Sequence, residues 1–293
     1  MKITLTLMLS LVLLPIAASA QTTLTAGDAF ARIQKHYAAA PPAHTVDTLK
    51  AGDPETPVTG IATTMFDTMD VLREAARRGD NVVIAHEPSF YNHRDDPAYF
   101  ADDPVYKEKL SFIQQHHMVV FRLHDEIHSG DTDHILEGVY EALGWQRYPH
   151  PGGPISQHLV TIPPTTLGQL AVFLKQRLNI RTLRVVGDPN LSITHVALLP
   201  GASGLQKQVF ALRQPVEVLI AGESSEWETV EYVRDAAAQG RPKALILLGH
   251  QASEEPGMEQ CAKDLRVLIP SIRVDHIVSG EPFWNSERPP ATK

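Results

Sequence analysis

Histidine is the residue type that stands out in this sequence, because half of its 14 histidines lie between residues 86 and 134. Neutral imidazole is the commonest metal ligand among side chains. Carboxylates stand close to several of these histidines, and together they offer the nitrogen and oxygen ligands that divalent transition metals bind. The pattern therefore indicates a metal site. The seven histidines are His86, His93, His116, His117, His124, His128 and His134.

The first candidate pair, His86-Glu87, directly follows an apolar run at residues 82–85 that predicts a buried strand. Pro88 ends this strand. Adjacent side chains in an extended chain point to opposite faces, but at the end of a strand the two can reach one centre or two neighbouring ones. The alternative interpretation of this pair is a histidine in a loop next to a solvated glutamate, with no metal bound.

A second cluster contains His124, Asp125 and His128, after a strand-like run at residues 118–123. Such a density of His and Asp is typical of metal ligands and of the residues that orient them. The spacing alone favours neither histidine over the other as a ligand. Nearby, Asp131 or Asp133 can instead cap a predicted helix at residues 133–143.

The third cluster, Gly249–Glu254, contains a histidine and a carboxylate four positions apart. One turn of helix places His250 and Glu254 on the same face, where both can bind one ion. The same spacing is common on ordinary helices. Gly201–Gly204 is a further glycine-rich segment, for which a tight turn and a phosphate-binding helix start are the alternatives.

A repeated unit connects the first and third clusters. Residues 68–79 and 229–240 are identical at five of twelve positions, and each predicts a helix that begins at Thr and ends at Gly. Each helix is followed by an apolar strand and then by a histidine, His86 or His250. The repeat predicts an α/β fold with two similar halves, and open α/β sheets place ligands at the carboxyl ends of their strands. We therefore expect these two histidines to meet across a cleft between the halves.

Composition limits the partners and the chemistry. The 293 residues carry a net charge of −8, so nucleic acid is a poor partner for this chain. The single cysteine, Cys261, excludes an intrachain disulfide and a multi-cysteine metal site. Pro- and Gly-rich stretches at 41–60 and 146–165 predict loop and linker. The predicted organisation is a signal peptide at 1–20, an N-terminal half at 21–150, a C-terminal half at 151–285 and a tail at 286–293.

Residues 1–20 have the pattern of a cleavable signal peptide. Lys2 precedes an apolar run, and Ala18-Ser19-Ala20 forms the small-x-small cleavage site. A transmembrane anchor is the alternative, but the run is short for a span of about 20 residues. The sequence predicts a periplasmic or secreted protein with no membrane span after cleavage.

The order of these segments resembles the Nif-three-like dinuclear metal-centre family, some members of which are named GTP cyclohydrolase I type 2 homologues. The similarity extends over residues 45–284. It rests on four segments, of which the last, close to Gly-His-x-x-Ser-Glu, is the most specific. The segments are residues 47–53, 82–90, 124–130 and 249–254.

The resemblance implies two divalent metal ions (Zn, Mn, Fe or Ni) in the cleft of a two-domain α/β fold, and a homo-oligomer in the form of a toroidal hexamer. Glu87 stands where the family usually has His, and His128 where it has Asp. The two exchanges compensate, so three imidazoles and two carboxylates remain. The implied ligands are His86, Glu87, His128, His250 and Glu254.

Two divalent ions about 3.5–4 Å apart can activate water and polarise a substrate oxygen. The favoured function is thus a metal-dependent hydrolase, with Glu223 or Asp125 as proton-transfer residue. GTP is scarce outside the cytoplasm, so the expected substrate is another small molecule or a phosphoester. The alternative is an exported metal-binding or scaffold assembly without catalysis.

Overall fold

The structure, a computed structural model, describes residues 23–38, 44–129, 132–153 and 155–286. It contains two five-stranded sheets with helices packed against them, which confirms the predicted α/β class. The predicted signal peptide and most of the predicted tail lie outside the described residues, as does Asp131. Among the helices of the described ranges, none has both the length and the apolar character needed to cross a membrane.

Each sheet combines parallel strands with antiparallel edges. The first has the order β1-β4-β3-β2-β10, with β1 antiparallel to β4; the second has the order β5-β7-β8-β9-β6, with both edge strands antiparallel. The last strand of the described chain thus joins the first sheet. The strands are β1 (Leu49–Ala51), β2 (Ile61–Thr64), β3 (Val82–Ala85), β4 (Val119–Arg122), β5 (Leu159–Thr166), β6 (Arg184–Val186), β7 (Ser192–Leu199), β8 (Val218–Ala221), β9 (Ala244–Leu247) and β10 (Val274–His276).

Both faces of each sheet are covered, which explains why the central strands are continuous apolar runs. In β3, Val82 and Ile84 face one apolar core while Val83 faces another. The α-helices of the described residues are α1 (Ala26–Tyr37), α2 (Met69–Arg78), α3 (Pro104–Gln115), α4 (His134–Leu143), α5 (Leu167–Arg177), α6 (Gly204–Leu212), α7 (Glu231–Ala238) and α8 (His250–Leu268).

The repeated helix–strand–histidine unit is present in both halves, with one difference at a helix start. Thr68 caps α2 as predicted, and its side chain accepts a hydrogen bond from the Val71 amide. The predicted cap at Thr229 is wrong. A π-helical turn, Glu226–Val230, precedes α7, so that Thr229 lies buried inside it.

Two segments predicted as loop or linker contain strands. β1 lies within residues 41–60, and β5 includes Pro163 and Pro164. Proline cannot donate to a sheet, so it is tolerated on an edge strand or at a bulge. β5 is an edge strand, and its pairing with β7 shifts register between Thr161 and Thr165.

α4, which follows the second histidine cluster, and α8, which begins within the third, cross at very short range. Gly138 of α4 contacts Gly257 of α8 so closely that a Cβ atom added at Gly138 would lie 2.6 Å from the Gly257 Cα. Only glycine at both positions permits this approach. The contact holds the segment before α4 against the N-terminal turn of α8, where His250 lies.

Candidate metal centre

The register of the first sheet places two of the histidine clusters side by side. Ala85 at the end of β3 pairs with Arg122 at the end of β4. The next residues, His86 and Leu123-His124, therefore leave the sheet at the same level. The rings of His86 and His124 stack with their centroids 4.8 Å apart.

A buried carboxylate folds the chain after β4. Asp47 is 2% exposed and accepts hydrogen bonds from the amides of His124 (2.7 Å), Asp125 (3.0 Å) and Glu126 (2.8 Å). The resulting turn brings His128 back to the same centre, with its Nε2 atom 3.3 Å from that of His86. His124 and His128 thus both face His86, so both candidate ligands of the second cluster lie at the same centre.

The second half contributes the start of α8. His250 and Glu254 occupy one helical face, with His250 Nε2 3.1 Å from Glu254 Oε2. The same carboxylate oxygen lies 3.6 Å from His86 Nε2. His86 and His250 therefore meet at one carboxylate, as the repeated unit led us to expect.

Glu87 reaches the same group from the first half. Its Oε1 atom lies 3.0 Å from His250 Nε2, whereas Arg122 donates to its Oε2 atom at 3.2 Å. Arg122 is fully buried and also donates to the backbone carbonyls of His86 and His93. One carboxylate oxygen of Glu87 is therefore held by Arg122 and the other faces the histidines.

All four imidazoles at this centre have an oxygen atom close to Nδ1, and their Nε2 atoms face inward. A metal-binding histidine is commonly oriented by a carboxylate or carbonyl on its other ring nitrogen. The oxygen partners are the Leu123 carbonyl for His86 (2.9 Å), Asp125 for His124 (2.9 Å), Asp133 for His128 (2.9 Å) and Glu223 for His250 (3.6 Å).

Two groups of donor atoms each lie within 4.8 Å of one another: His86, His124 and His128 in one, and His86, Glu87 and Glu254 in the other. The donors fit a divalent metal. Glu254 Oε2 is buried and accepts no hydrogen bond of acceptable geometry, and the His86 and His128 nitrogens face each other with at least one lone pair between them. A cation at this place would satisfy both.

Burial and neighbouring charge give these groups different pKa values. Burial lowers the pKa of His86 well below its ordinary value, and the charges of His128 and His124 lower it further, so this imidazole is neutral. Burial also lowers the pKa of His250, but the carboxylates of Glu223, Glu254 and Glu87 outweigh this effect and raise it to about 12. Without metal, His250 is therefore protonated at neutral pH.

We expect metal binding at this centre to release between about one and two protons per chain at pH 7, because a metal binds neutral imidazole. It displaces the proton of His250 and also that of His128, since burial lowers the pKa of His128 but Asp133, Glu254 and Glu87 outweigh burial and raise it. The apparent metal affinity should then rise with pH up to the pKa of His250. Titration calorimetry in two buffers of different ionisation enthalpy measures the released protons. Buffer-independent heats would contradict this expectation.

The two residues predicted to transfer protons lie behind the imidazoles. Asp125 accepts from the Val46 amide and contacts His124. Glu223 follows β8, contacts His250, and has a side chain 54% exposed. Sequence reasoning missed Arg122, to which no local pattern points. For Asp133 it treated a place in the metal site and helix capping as alternatives, whereas this residue both caps α4 and contacts His128.

Sequence comparisons show which known proteins this chain resembles. The profile of the family described as Duf34/NIF3 (NGG1p interacting factor 3) matches residues 44–282. A Clostridium acetobutylicum protein named GTP cyclohydrolase 1 type 2 homolog is 27% identical over 225 residues, which make up 74% of this chain and 80% of that protein. A Clostridium perfringens protein of the same name is 23% identical over 239 residues, or 80% of this chain and 87% of that protein.

Solved structures share the fold. A Staphylococcus aureus protein superposes with a TM-score of 0.71 at 18% identity, covering 90% of this chain and 100% of that chain. A Bacillus cereus protein related to NIF3 has a TM-score of 0.69 at 16% identity, covering 90% and 99%. The family resemblance predicted from four short segments is confirmed. Because the matched profile spans most of the sequence, the chain belongs to the Duf34/NIF3 family.

Proposed function

We propose that this protein is a metal-dependent hydrolase with two divalent metal ions. The observation that carries the proposal is the approach of three imidazole Nε2 atoms, those of His86, His124 and His250, to within 3.7 Å of the carboxylates of Glu87 and Glu254. The Nε2 atom of His128 lies 3.3 Å from that of His86, and His86 belongs to both donor groups. Because one imidazole nitrogen binds one ion, His86 can be a ligand of only one ion at a time. The other donors of the two overlapping groups are then available to a second ion, so a pair of ions that divides the donors explains both groups better than a single ion does.

The proposed ligands are those implied by the sequence, with His124 added because it lies in one of the donor groups. This mixed nitrogen and oxygen set suits Zn, Mn, Fe or Ni better than Ca. Bound divalent ions would supply Lewis-acid activation of water and of a substrate oxygen. The residues of the chain hold the ligands in place and move protons.

Glu223 is the stronger candidate for proton transfer. Its carboxylate is half-exposed and contacts His250, and His250 lowers its pKa below the ordinary value despite the opposing effect of burial. It is therefore ionised at neutral pH and can accept a proton from the centre and pass it to solvent. Asp125, the other candidate, is occupied by His124 and the Val46 amide.

The Clostridium relatives are named as homologues of a cyclohydrolase, and that activity is compatible with hydrolysis at this centre. For this chain we propose a small-molecule or phosphoester substrate other than GTP, in the periplasm or outside the cell, because residues 1–20 have the signal-peptide pattern. We further propose that the protein is a homo-oligomer, with a hexamer as the form to test.

The test compares the wild-type protein with His250→Ala. Metal content is measured by mass spectrometry, and hydrolysis is measured over a broad panel of phosphoesters, esters and amides. We expect stoichiometric metal and at least one activity in the wild type, and loss of that activity in the variant. Metal without any activity that the substitution lowers favours the non-catalytic assembly. Absence of stoichiometric metal contradicts both functions.

A further inference from the structure

The candidate metal centre borders three cavities, and one of them collects most of its donors. A cavity of about 460 Å³, here called the donor cavity, is lined by His124, His128, Glu254, Glu87 and His250. A larger cavity of about 870 Å³ reaches only the last two of these, and a small one of about 200 Å³ only the last. A substrate that reacts at the centre must occupy the donor cavity, whose volume suits a small molecule.

The C-terminal half forms the opposite wall of the donor cavity. Ser203 lies just before α6, and Lys207 lies four residues later, so both side chains occupy one face of the helix. The fully buried Gln208 donates to the Ser203 hydroxyl (3.2 Å) and to the Glu223 carbonyl (2.9 Å). These bonds fix the start of α6 relative to the loop that carries Glu223. The base of the Lys207 side chain is thereby held in a defined position beside the centre.

Among the described residues that line the donor cavity, Lys207 is the one lysine or arginine, and its side chain is exposed. Within the described part of the chain, no hydrogen bond or ion pair engages its ammonium group. The carboxylates that line the same cavity have other partners: Glu87 contacts Arg122, Asp133 contacts His128, and Glu254 contacts His250.

The cations of the larger cavity differ in this respect. Lys109 is paired with Asp67 at 2.9 Å, and Arg181 lies 3.4 Å from a carboxylate oxygen of Glu281. Lys207 is thus an uncompensated positive charge that faces the space in front of the metal donors. An uncharged or cationic substrate would form no ion pair with that ammonium group.

We propose that the substrate carries an anionic group, a phosphate or a carboxylate, and that Lys207 binds this group in the donor cavity. The inference rests on the proposed function, since it places the reacting bond at the metal donors. The ammonium donates charge-assisted hydrogen bonds to the anion, and the Ser203 hydroxyl on the same helical face is the second donor. Lys207 therefore selects small anionic substrates over neutral ones.

The test uses phenylphosphonate and benzoate as non-hydrolysable probes of the two anions. Each is titrated calorimetrically into Mn²⁺-loaded wild type, Lys207→Met and Lys207→Arg, with the metal content of each protein measured first. We expect Lys207→Met to bind the preferred anion about tenfold more weakly and Lys207→Arg to stay within about threefold of wild type, since it keeps the charge. The anion that loses more affinity identifies the group as phosphate or carboxylate.

A matched control is Lys175→Met, which removes the same charge from an exposed position of α5 and should leave both affinities unchanged. Equal affinities of Lys207→Met and wild type at equal metal content overturn the inference, as does absence of binding of both anions to the wild type. If the protein holds no metal, the proposed function fails. The same titrations on metal-free protein then test Lys207 separately, because its charge does not depend on the ions.

Discussion

Replacing His86 with alanine is expected to lower the affinity for divalent metal by about 100-fold or more, since even the loss of a residue that orients a ligand costs about 10–100-fold. His86 is fully buried and belongs to both donor groups. Its Nε2 atom lies between His128 and Glu254, so whichever ion it binds loses a buried ligand when it is removed. Competition with a chromogenic chelator measures the affinity, and mass spectrometry measures the metal per chain.

His116→Ala is the matched control, because His116 belongs to the same histidine-rich stretch but is exposed at the end of α3. It should bind metal as the wild type does. His86→Asn separates metal loss from misfolding, since its amide takes the position of Nδ1 and can still donate to the Leu123 carbonyl that His86 contacts. If His86→Ala folds and keeps wild-type affinity, these donor groups are not the metal site.

The elements that could be predicted are those whose signals are local. β3 occupies the predicted residues, and α4 lies between its predicted cap, Asp133, and Gly144. An apolar run and a capping side chain both act within a few residues, so strands and helix ends that depend on them can be predicted from the local sequence. β1 and β5 were missed because their partners, β4 and β7, lie far along the chain. Pairing across such distances outweighs the local preference of proline-rich segments for loops.

The same division holds for the site. His86 follows a predicted strand in the histidine-rich stretch, and the repeat led from it to His250. Spacing alone puts His250 and Glu254 on one helical face. Arg122 gave no signal, because its role depends on the register between β3 and β4, which sets Glu87 beside it. The choice between His124 and His128 could not be made from the sequence, and the buried Asp47 shows why. It folds the turn so that both imidazoles face the centre.

Glu87 and His128, the two departures from the family pattern, each contact a side chain of opposite charge or matching hydrogen-bonding character. Burial alone raises the pKa of Glu87, but His250, His124 and the buried guanidinium of Arg122 lower it below the ordinary value. The carboxylate is therefore ionised and able to bind a cation. His128 has Asp133 on its Nδ1 atom, which orients the imidazole. The proposed ligand Glu87 is thus ionised, and the proposed ligand His128 is oriented by Asp133, which also raises its pKa against the opposing effect of burial, so that a metal would have to displace its proton.

Gly201→Ala is expected to lower metal affinity by about 10–100-fold, a loss comparable to that of removing a residue that orients a ligand. A Cβ atom at Gly201 would lie 2.3 Å from Oε1 of Glu254 and 2.8 Å from its carboxyl carbon. The carboxylate is the far end of a flexible side chain, so it can move away at small cost to folding. It then leaves the position where it faces His86 and His250, and the penalty falls on metal binding.

Gly204→Ala separates this effect from backbone strain, because Gly204 begins the helix that follows this loop and has a similar positive φ, +76° against +62° at Gly201. A Cβ atom there meets nothing within 4 Å. Both variants should lose about 1–2 kcal/mol of unfolding free energy from the left-handed conformation, measured by urea denaturation of metal-free protein. Only Gly201→Ala should also lose metal affinity in the chelator competition. Equal metal affinities in the two variants would show that the position of Glu254 does not control binding, because the strain they share is then the only effect that remains.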